Sequence, residues 1–188
     1  MKFHHVYHSP QVQGLKIIMP HESTHGENWV YATWDIVMSA AFLGTAGGDF
    51  TCQVGRDDET GIPFIVERFE GALKLRYGNV RGSIYVLPGD KFVAGKTQWP
   101  EEVICSESVA SLQELQVEDV EEHLLQLARE HKLRIIRYSE RNVGDDEDLV
   151  YRAVIWTRQF GDSILDQIKR YHPHLYERVL QAMKEGKY

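Results

Sequence analysis

Short apolar runs, separated by turn-forming residues, fill the first two-thirds of the chain. These runs are rich in residues that favour β-strands, and they cover residues 3–8, 15–19, 29–33, 50–54, 62–66, 82–87 and 102–105. Residues 35–43 differ, because their apolar side chains recur at helical spacing and Thr33 or Asp35 supplies a capping oxygen in front of them. The pattern predicts a strand-rich body that carries few helices.

The last third of the chain has a mainly helical pattern. Apolar residues lie on one helical face in residues 117–131 and again in residues 164–183, where His172-Pro173 interrupts the stripe. Residues 133–138 read as one more strand, and the acidic residues 145–148 begin a further helix, because acidic side chains favour a helix N-terminus.

Composition narrows the class of protein. The chain has 188 residues, of which 43% are hydrophobic and 26% charged, as is typical of a globular fold. We therefore predict an α+β protein, with a strand-rich domain at residues 1–140 and a helical extension at residues 141–188 packed on the same core.

Apolar run lengths and the cysteine count indicate in which cellular compartment the protein lies. The longest apolar stretch, residues 36–43, is too short to cross a membrane, and the N-terminus lacks the apolar segment of a secretory signal. Cys52 and Cys105 are too few for a disulfide framework. These features favour a cytoplasmic protein that has no membrane association.

Charge is unevenly distributed along the chain. The net charge is −7, and residues 101–150 alone contain 14 Asp and Glu against 5 Lys and Arg. No cluster of basic residues compensates for this acidic segment, which would repel a phosphate backbone. We expect no nucleic-acid partner, although a small charged ligand held by local hydrogen bonds remains compatible with this charge.

The histidines near the N-terminus raise the question of a metal site. His4 and His8, like His21 and His25, have the HxxxH spacing that joins two ligands on a helix. The local pattern is strand and loop, however, and residues four apart on a strand lie about 13 Å from each other. We expect no metal site, and a histidine-based metal hydrolase ranks last among the functions considered.

Three short motifs carry the more informative pattern. Tyr7-His8-Ser9 ends the first predicted strand, Val30-Tyr31-Ala32-Thr33 closes a later one, and Glu101-Glu102-Val103-Ile104-Cys105 begins another. Their order resembles the His–Tyr–Glu pattern of the ADP-ribosyltransferase-like superfamily. More narrowly, it is similar to a group of small bacterial proteins whose sequences begin with motifs like Tyr7-His8-Ser9 and Val30-Tyr31-Ala32-Thr33 in this order. The resemblance covers roughly residues 5–138.

The resemblance implies two small antiparallel sheets with a nucleotide-binding cleft. His8 would bond to a ribose hydroxyl of NAD, the backbone beside Ser9 would meet the nicotinamide amide, and Tyr31 would stack on the nicotinamide ring. Thr33 is a further candidate for binding the cofactor. A glutamate of the third motif would hold the ribose and stabilise the oxocarbenium-like state that forms as the glycosidic bond breaks.

Three residues, Glu101, Glu102 and Glu107, compete for that catalytic role. On a strand, Glu102 faces opposite to the other two. We name Glu102 and Glu107 as the catalytic candidates and prefer Glu102, because it directly precedes the apolar residues Val103 and Ile104.

Two functions therefore remain open. The first is a protein that binds NAD or a related small nucleotide and transfers or hydrolyses ADP-ribose. The second is a non-catalytic module that binds a metabolite or a protein, in the cleft or on its acidic face. The motif residues also fit ordinary structural roles: a half-buried strand residue for Tyr31, a hydrogen-bonded network for His8 and a solvated charge for Glu102. The oligomeric state and the acceptor are not determined by the sequence.

Overall fold

Strands predominate in the first two-thirds of the chain and helices in the last third, as the apolar pattern predicts. The structure is a computed structural model that describes residues 3–22, 27–45, 47–97, 99–141 and 145–188. Its strands are β1 (His5–His8), β2 (Ile17–Ile18), β3 (His21–Glu22), β4 (Asn28–Thr33), β5 (Cys52–Arg56), β6 (Pro63–Glu67), β7 (Gly82–Pro88), β8 (Val93–Ala94), β9 (Glu102–Cys105), β10 (Val109–Ala110), β11 (Gln113–Val117) and β12 (Arg134–Ile136). Its helices are α1 (Ile36–Ala40), α2 (Ala72–Tyr77), α3 (Val120–Arg129), α4 (Asp145–Phe160), α5 (Ser163–Tyr171) and α6 (Tyr176–Lys184).

The prediction of an α+β fold with small antiparallel sheets is confirmed. The described strands form three sheets, however, where the sequence predicted two. The largest has the order β11-β7-β1-β4-β9-β8, with β3 beside β4, and its pairings are antiparallel. A two-stranded sheet joins β10 to β2, and a three-stranded sheet has the order β12-β6-β5.

The chain divides into two compact units, each built from segments that are distant in sequence. Unit 1 comprises Met1–Gly44, Gly55–Pro63 and Tyr77–Arg134, and unit 2 comprises Thr45–Val54, Phe64–Arg76 and Ile135–Tyr188. The division of the sequence into residues 1–140 and 141–188 stays a prediction, because compactness does not by itself show which segments fold independently.

The core of unit 1 lies against the largest sheet. Alternating side chains of the strands turn inward, as Val30 and Ala32 of β4 do, because successive residues of a strand face opposite sides. Tyr85 of β7 is fully buried in the same cluster. Its hydroxyl accepts a hydrogen bond from the Leu15 amide at 2.9 Å and lies 3.0 Å from the Val12 carbonyl, so the buried polar atom is satisfied. α1 packs on β1, β4 and β7.

The core of unit 2 is helical. The apolar stripe predicted for residues 164–183 is buried at Ile164, Ile168, Leu175 and Val179, and it packs with α4 residues such as Val154. His172-Pro173 interrupts the stripe as expected, since α5 ends at Tyr171 and a short 3₁₀ turn precedes α6.

At this interruption between the two helices, His172 makes a buried polar contact. The side chain is 1% exposed, and its Nε2 lies 2.6 Å from the Phe50 carbonyl oxygen. A carbonyl can only accept, so Nε2 carries the hydrogen and donates it. Burial lowers the pKa of His172, because removal from water disfavours the charged imidazolium.

No helix among the described segments is both long and apolar enough to span a bilayer.

We expect acidification to destabilise the fold partly through His172. In the unfolded chain, His172 binds a proton near its ordinary pKa of about 6.5, whereas the folded chain resists protonation. The contribution of His172 to stability is therefore fully present above pH about 6.5 and is lost as the pH falls toward the lowered pKa of the folded state. Urea unfolding at pH 7.5 and pH 5.5 measures this loss.

The variant His172→Gln retains an N–H donor but does not titrate, so it should lose less stability on acidification than the parent protein. His4→Gln replaces an exposed histidine and should behave like the parent. An equal loss of stability in His172→Gln and the parent would contradict the assignment.

Candidate functional site

The largest sheet brings the three motifs together at one end of neighbouring strands. β4 lies between β1 and β9, and its last residue, Thr33, pairs with Tyr7 on one side and with Glu102 on the other. His8 ends β1 and Glu102 begins β9. Because antiparallel neighbours run in opposite directions, the end of β1 lies next to the interior of β4. Tyr7 and Glu102, 95 positions apart in sequence, thus lie on opposite sides of the same residue, Thr33.

A cavity of about 140 Å³ opens at this place. Five of the six residues predicted for the site line it, namely His8, Ser9, Tyr31, Thr33 and Glu102. The sequence analysis did not single out the remaining lining residues as site candidates: Tyr7, His21, Ala32, Ser39, Phe42 and Trp99. All eleven belong to unit 1.

His8 is held in one orientation by the backbone of β4. Its Nδ1 lies 2.7 Å from the carbonyl oxygen of Tyr31, which can only accept, so Nδ1 carries the hydrogen. In the neutral ring, Nε2 then has a free lone pair. Burial lowers the pKa of His8, the hydrogen bond to Tyr31 works in the opposite direction, and repulsion from His21 lowers it further. The imidazole is therefore neutral at neutral pH.

Aromatic residues line the cavity together with His8. The ring centroid of His21 lies 6.2 Å from that of His8 and 5.6 Å from that of Tyr31. The Tyr31 hydroxyl donates a hydrogen bond to the Glu27 carbonyl at 2.8 Å, which fixes the ring from its far end. Phe42 and Trp99 form a second aromatic pair, with centroids 4.9 Å apart. The cavity thus offers flat apolar faces to a ligand.

α1 carries Ser39, one of the lining residues that the sequence analysis missed. Asp35 caps this helix by accepting a hydrogen bond from the Val37 amide at 2.8 Å, as the sequence predicted for Thr33 or Asp35. Thr33 instead donates its hydroxyl hydrogen to the Asp35 carbonyl at 2.7 Å. Ser39 is buried and its hydroxyl bonds to that of Ser9, so the helix and the loop after β1 are joined inside the cavity.

The three competing glutamates occupy different environments. Glu102 is half-buried and lines the cavity. Glu101 is buried and bonds to Arg56, away from the cavity lining. Glu107 has a side chain that is 64% exposed and pairs with Lys91 at 2.5 Å, so it is not among the described residues that line the cavity. Of the two catalytic candidates, the structure brings only Glu102 to His8 and Tyr31.

Arg56 forms ion pairs with two residues, Glu101 and Asp35, that lie next to cavity-lining segments. Its guanidinium bonds to both carboxylate oxygens of Glu101, one of them at 2.8 Å, and to Asp35 at 2.6 Å. It also lies 4.7 Å from the ring centroid of Trp34. Glu101 precedes Glu102, and Asp35 caps α1, so one side chain holds both sides of the site. The hydrogen bond to Glu101 contributes most to raising the pKa of Arg56.

Metal binding has no further support in this region. Among the residues that the structure describes, no group of three or more His, Cys, Asp or Glu side chains is arranged to hold a metal ion. His25, which forms the second HxxxH pair with His21, lies outside the described residues.

The missed residues had only a weak signal in the sequence. Ser39 is a polar residue between the apolar residues Met38 and Ala40 of a predicted helix, which suggests that it faces a polar partner. Phe42 is an exposed aromatic residue at the end of that helical segment. His21 was considered only for a metal site through its HxxxH spacing, and Trp99 lies in a segment without a clear pattern, so only the fold brings them to the cavity.

Comparison with known proteins leaves the site to be interpreted from its own geometry. A scan of protein-family models, a search of curated proteins and a search of solved structures each found no match to this chain.

We expect Arg56→Gln to destabilise unit 1. The substitution leaves the Glu101 carboxylate, whose side chain is 8% exposed, without its bidentate partner, and it also removes the bond to Asp35. The free energy of unfolding should fall by about 2–3 kcal/mol, because hydrogen bonds to poorly solvated charges are costly to lose. Urea unfolding measures the change.

Arg134→Gln is the matched control, because Arg134 forms a longer and more exposed ion pair with Asp57, at 3.7 Å. It should cost less than about 1 kcal/mol. Equal effects of the two substitutions would show that the Arg56 cluster does not stabilise the site.

Proposed function

We propose that unit 1 binds NAD or a related nucleotide and cleaves its bond between nicotinamide and ribose, with transfer of ADP-ribose to an acceptor or to water. The observation that carries this proposal is the convergence of His8, Tyr31 and Glu102 on one cavity. These are the residues of the His–Tyr–Glu pattern, and they come from three strands that are distant in sequence but adjacent in the sheet.

Each of the three side chains suits a distinct part of the reaction. The neutral His8 has a fixed tautomer and can accept a hydrogen bond from a ribose hydroxyl through Nε2. Tyr31 offers a ring that is anchored at its hydroxyl and can stack on nicotinamide. Glu102 supplies a carboxylate that stabilises positive charge at the anomeric carbon, where charge develops as the glycosidic bond breaks.

The hydroxyls of Ser9 and Ser39 suit the carboxamide of the leaving group. They bond to each other at the cavity wall, so at least one of them can also bond to a polar group of the ligand. Trp99 and Phe42 contribute apolar surface to the same cavity lining, in contrast to these polar hydroxyls. A planar ring with one polar substituent matches such a lining.

Ligand binding tests the first part of the proposal. NAD at about 100 times its dissociation constant should stabilise the protein by about 2.7 kcal/mol, measured as a thermal shift. His8→Ala and Tyr31→Ala should weaken NAD binding at least tenfold, whereas His4→Ala, at an exposed position just before β1, should bind like the parent. Equal binding by all three variants would place the site elsewhere.

Turnover tests the second part. Glu102→Gln should lower the rate of nicotinamide release by about 10²–10³-fold, the usual cost of losing one transition-state contact. Glu107→Gln should retain the parent rate, because Glu107 is exposed and paired with Lys91. Binding of NAD without any turnover in the parent would favour the non-catalytic binding module, and the absence of nucleotide binding would contradict the proposal.

A further inference from the structure

The size of the cavity limits how much of a nucleotide it can enclose. Its volume is about 140 Å³. An engineered apolar cavity of roughly 150 Å³ holds one benzene molecule, whereas pockets for whole drug-sized ligands measure roughly 300–1,000 Å³. The described cavity therefore accommodates a single six-membered ring with a small substituent. The rest of a dinucleotide, including its two phosphates, must lie outside it.

The charge of the lining is unusual for a nucleotide site. Glu102 is its acidic residue, and the described lining contains no Lys or Arg. Arg56 directs its guanidinium to Glu101, Asp35 and the Gly61 carbonyl. Phosphate recognition usually relies on Arg, Lys or a helix N-terminus.

The aromatic lining adds to the preference for positive charge. Tyr31, Phe42 and Trp99 line the cavity, and the faces of aromatic rings attract cations. His8 does not oppose this attraction, because its imidazole is neutral at neutral pH. One carboxyl group, several aromatic faces and no basic side chain together form a site for a flat ring that carries positive charge.

We propose that this site recognises the positively charged ring of an N-ribosyl cation and takes little affinity from phosphate, so that nicotinamide riboside is as good a ligand as NAD. This inference rests on the proposed function, because it assigns the substrate class of the same site. The class comprises ribosides whose base is a cationic heteroaromatic ring, with or without phosphate.

The chemistry of cleavage fits this preference. When the bond between the ring nitrogen and the anomeric carbon breaks, its electron pair stays with the ring, which becomes neutral. The positive charge moves to the sugar as an oxocarbenium ion, and water or another acceptor adds there and releases a proton to solvent. The neutral nicotinamide has lost the charge that the site favours and leaves readily. The carboxylate of Glu102 continues to stabilise the charge on the sugar.

Four ligands separate ring charge from phosphate in the full-length protein: NAD, NADH, nicotinamide riboside and ADP-ribose. NADH has the same two phosphates as NAD but a neutral ring, and nicotinamide riboside has the charged ring but no phosphate. By isothermal titration calorimetry, nicotinamide riboside should bind within about threefold of NAD. NADH and ADP-ribose should bind at least tenfold more weakly, because both lack the positively charged ring that the Glu102 carboxylate and the aromatic side chains attract.

Glu102→Gln and Glu107→Gln form a matched pair for the same measurement. Removing the charge at Glu102 should bring the affinities for NAD and NADH to within threefold, whereas Glu107→Gln should keep the parent ratio, because Glu107 is outside the lining. The four-ligand comparison in the parent protein decides the question even if Glu102→Gln fails to fold.

The outcomes also separate this inference from the proposed function. NAD binding that is more than tenfold tighter than nicotinamide riboside binding, or NADH binding that equals NAD binding, would overturn the ring-charge preference and leave the nucleotide site intact. Failure of all four ligands to bind would overturn both.

Discussion

The antiparallel register of β1, β4 and β9 is the constraint on which the site depends. Thr33 stands opposite both Tyr7 and Glu102, and this alignment sets the positions of the side chains at the cavity. Successive strand residues face opposite sides, so a slip of one residue would turn Tyr31 or Glu102 to the other face. The buried residues Val30, Ala32 and Val103 oppose such a slip, because it would expose apolar surface.

Side-chain hydrogen bonds connect α1 to the strands that the register places around the cavity. The loop after β1 is joined to α1 by the two serine hydroxyls, and the start of β9 is joined to the same helix through Arg56. The helix has only five residues, too few to be stable alone, so it depends on its Asp35 cap and on packing against the sheet. Local positioning of the site therefore depends on tertiary contacts at both ends of a marginal helix.

Much of the fold could be predicted from apolar periodicity, and the failures have physical causes. The strand β11 was not predicted, because Gln113, Glu114 and Gln116 make it polar. It is the outermost strand of its sheet, where polar residues are common because one edge is open to solvent. The helical stripe of residues 164–183 was predicted well, since burial against α4 requires the apolar spacing that the sequence displays.

The sequence by itself determined the α+β class, most strands, the helical last third and the three motifs whose order suggested a site. It favoured Glu102 over Glu107 only through the apolar residues that follow Glu102 along the strand, and it did not find Ser39, Phe42 and Trp99. That choice depends on which side chains the sheet brings together and which it leaves in solvent. Periodicity along a chain records which face of an element is buried, but the neighbour that covers this face is set by strand order and register, which are long-range properties.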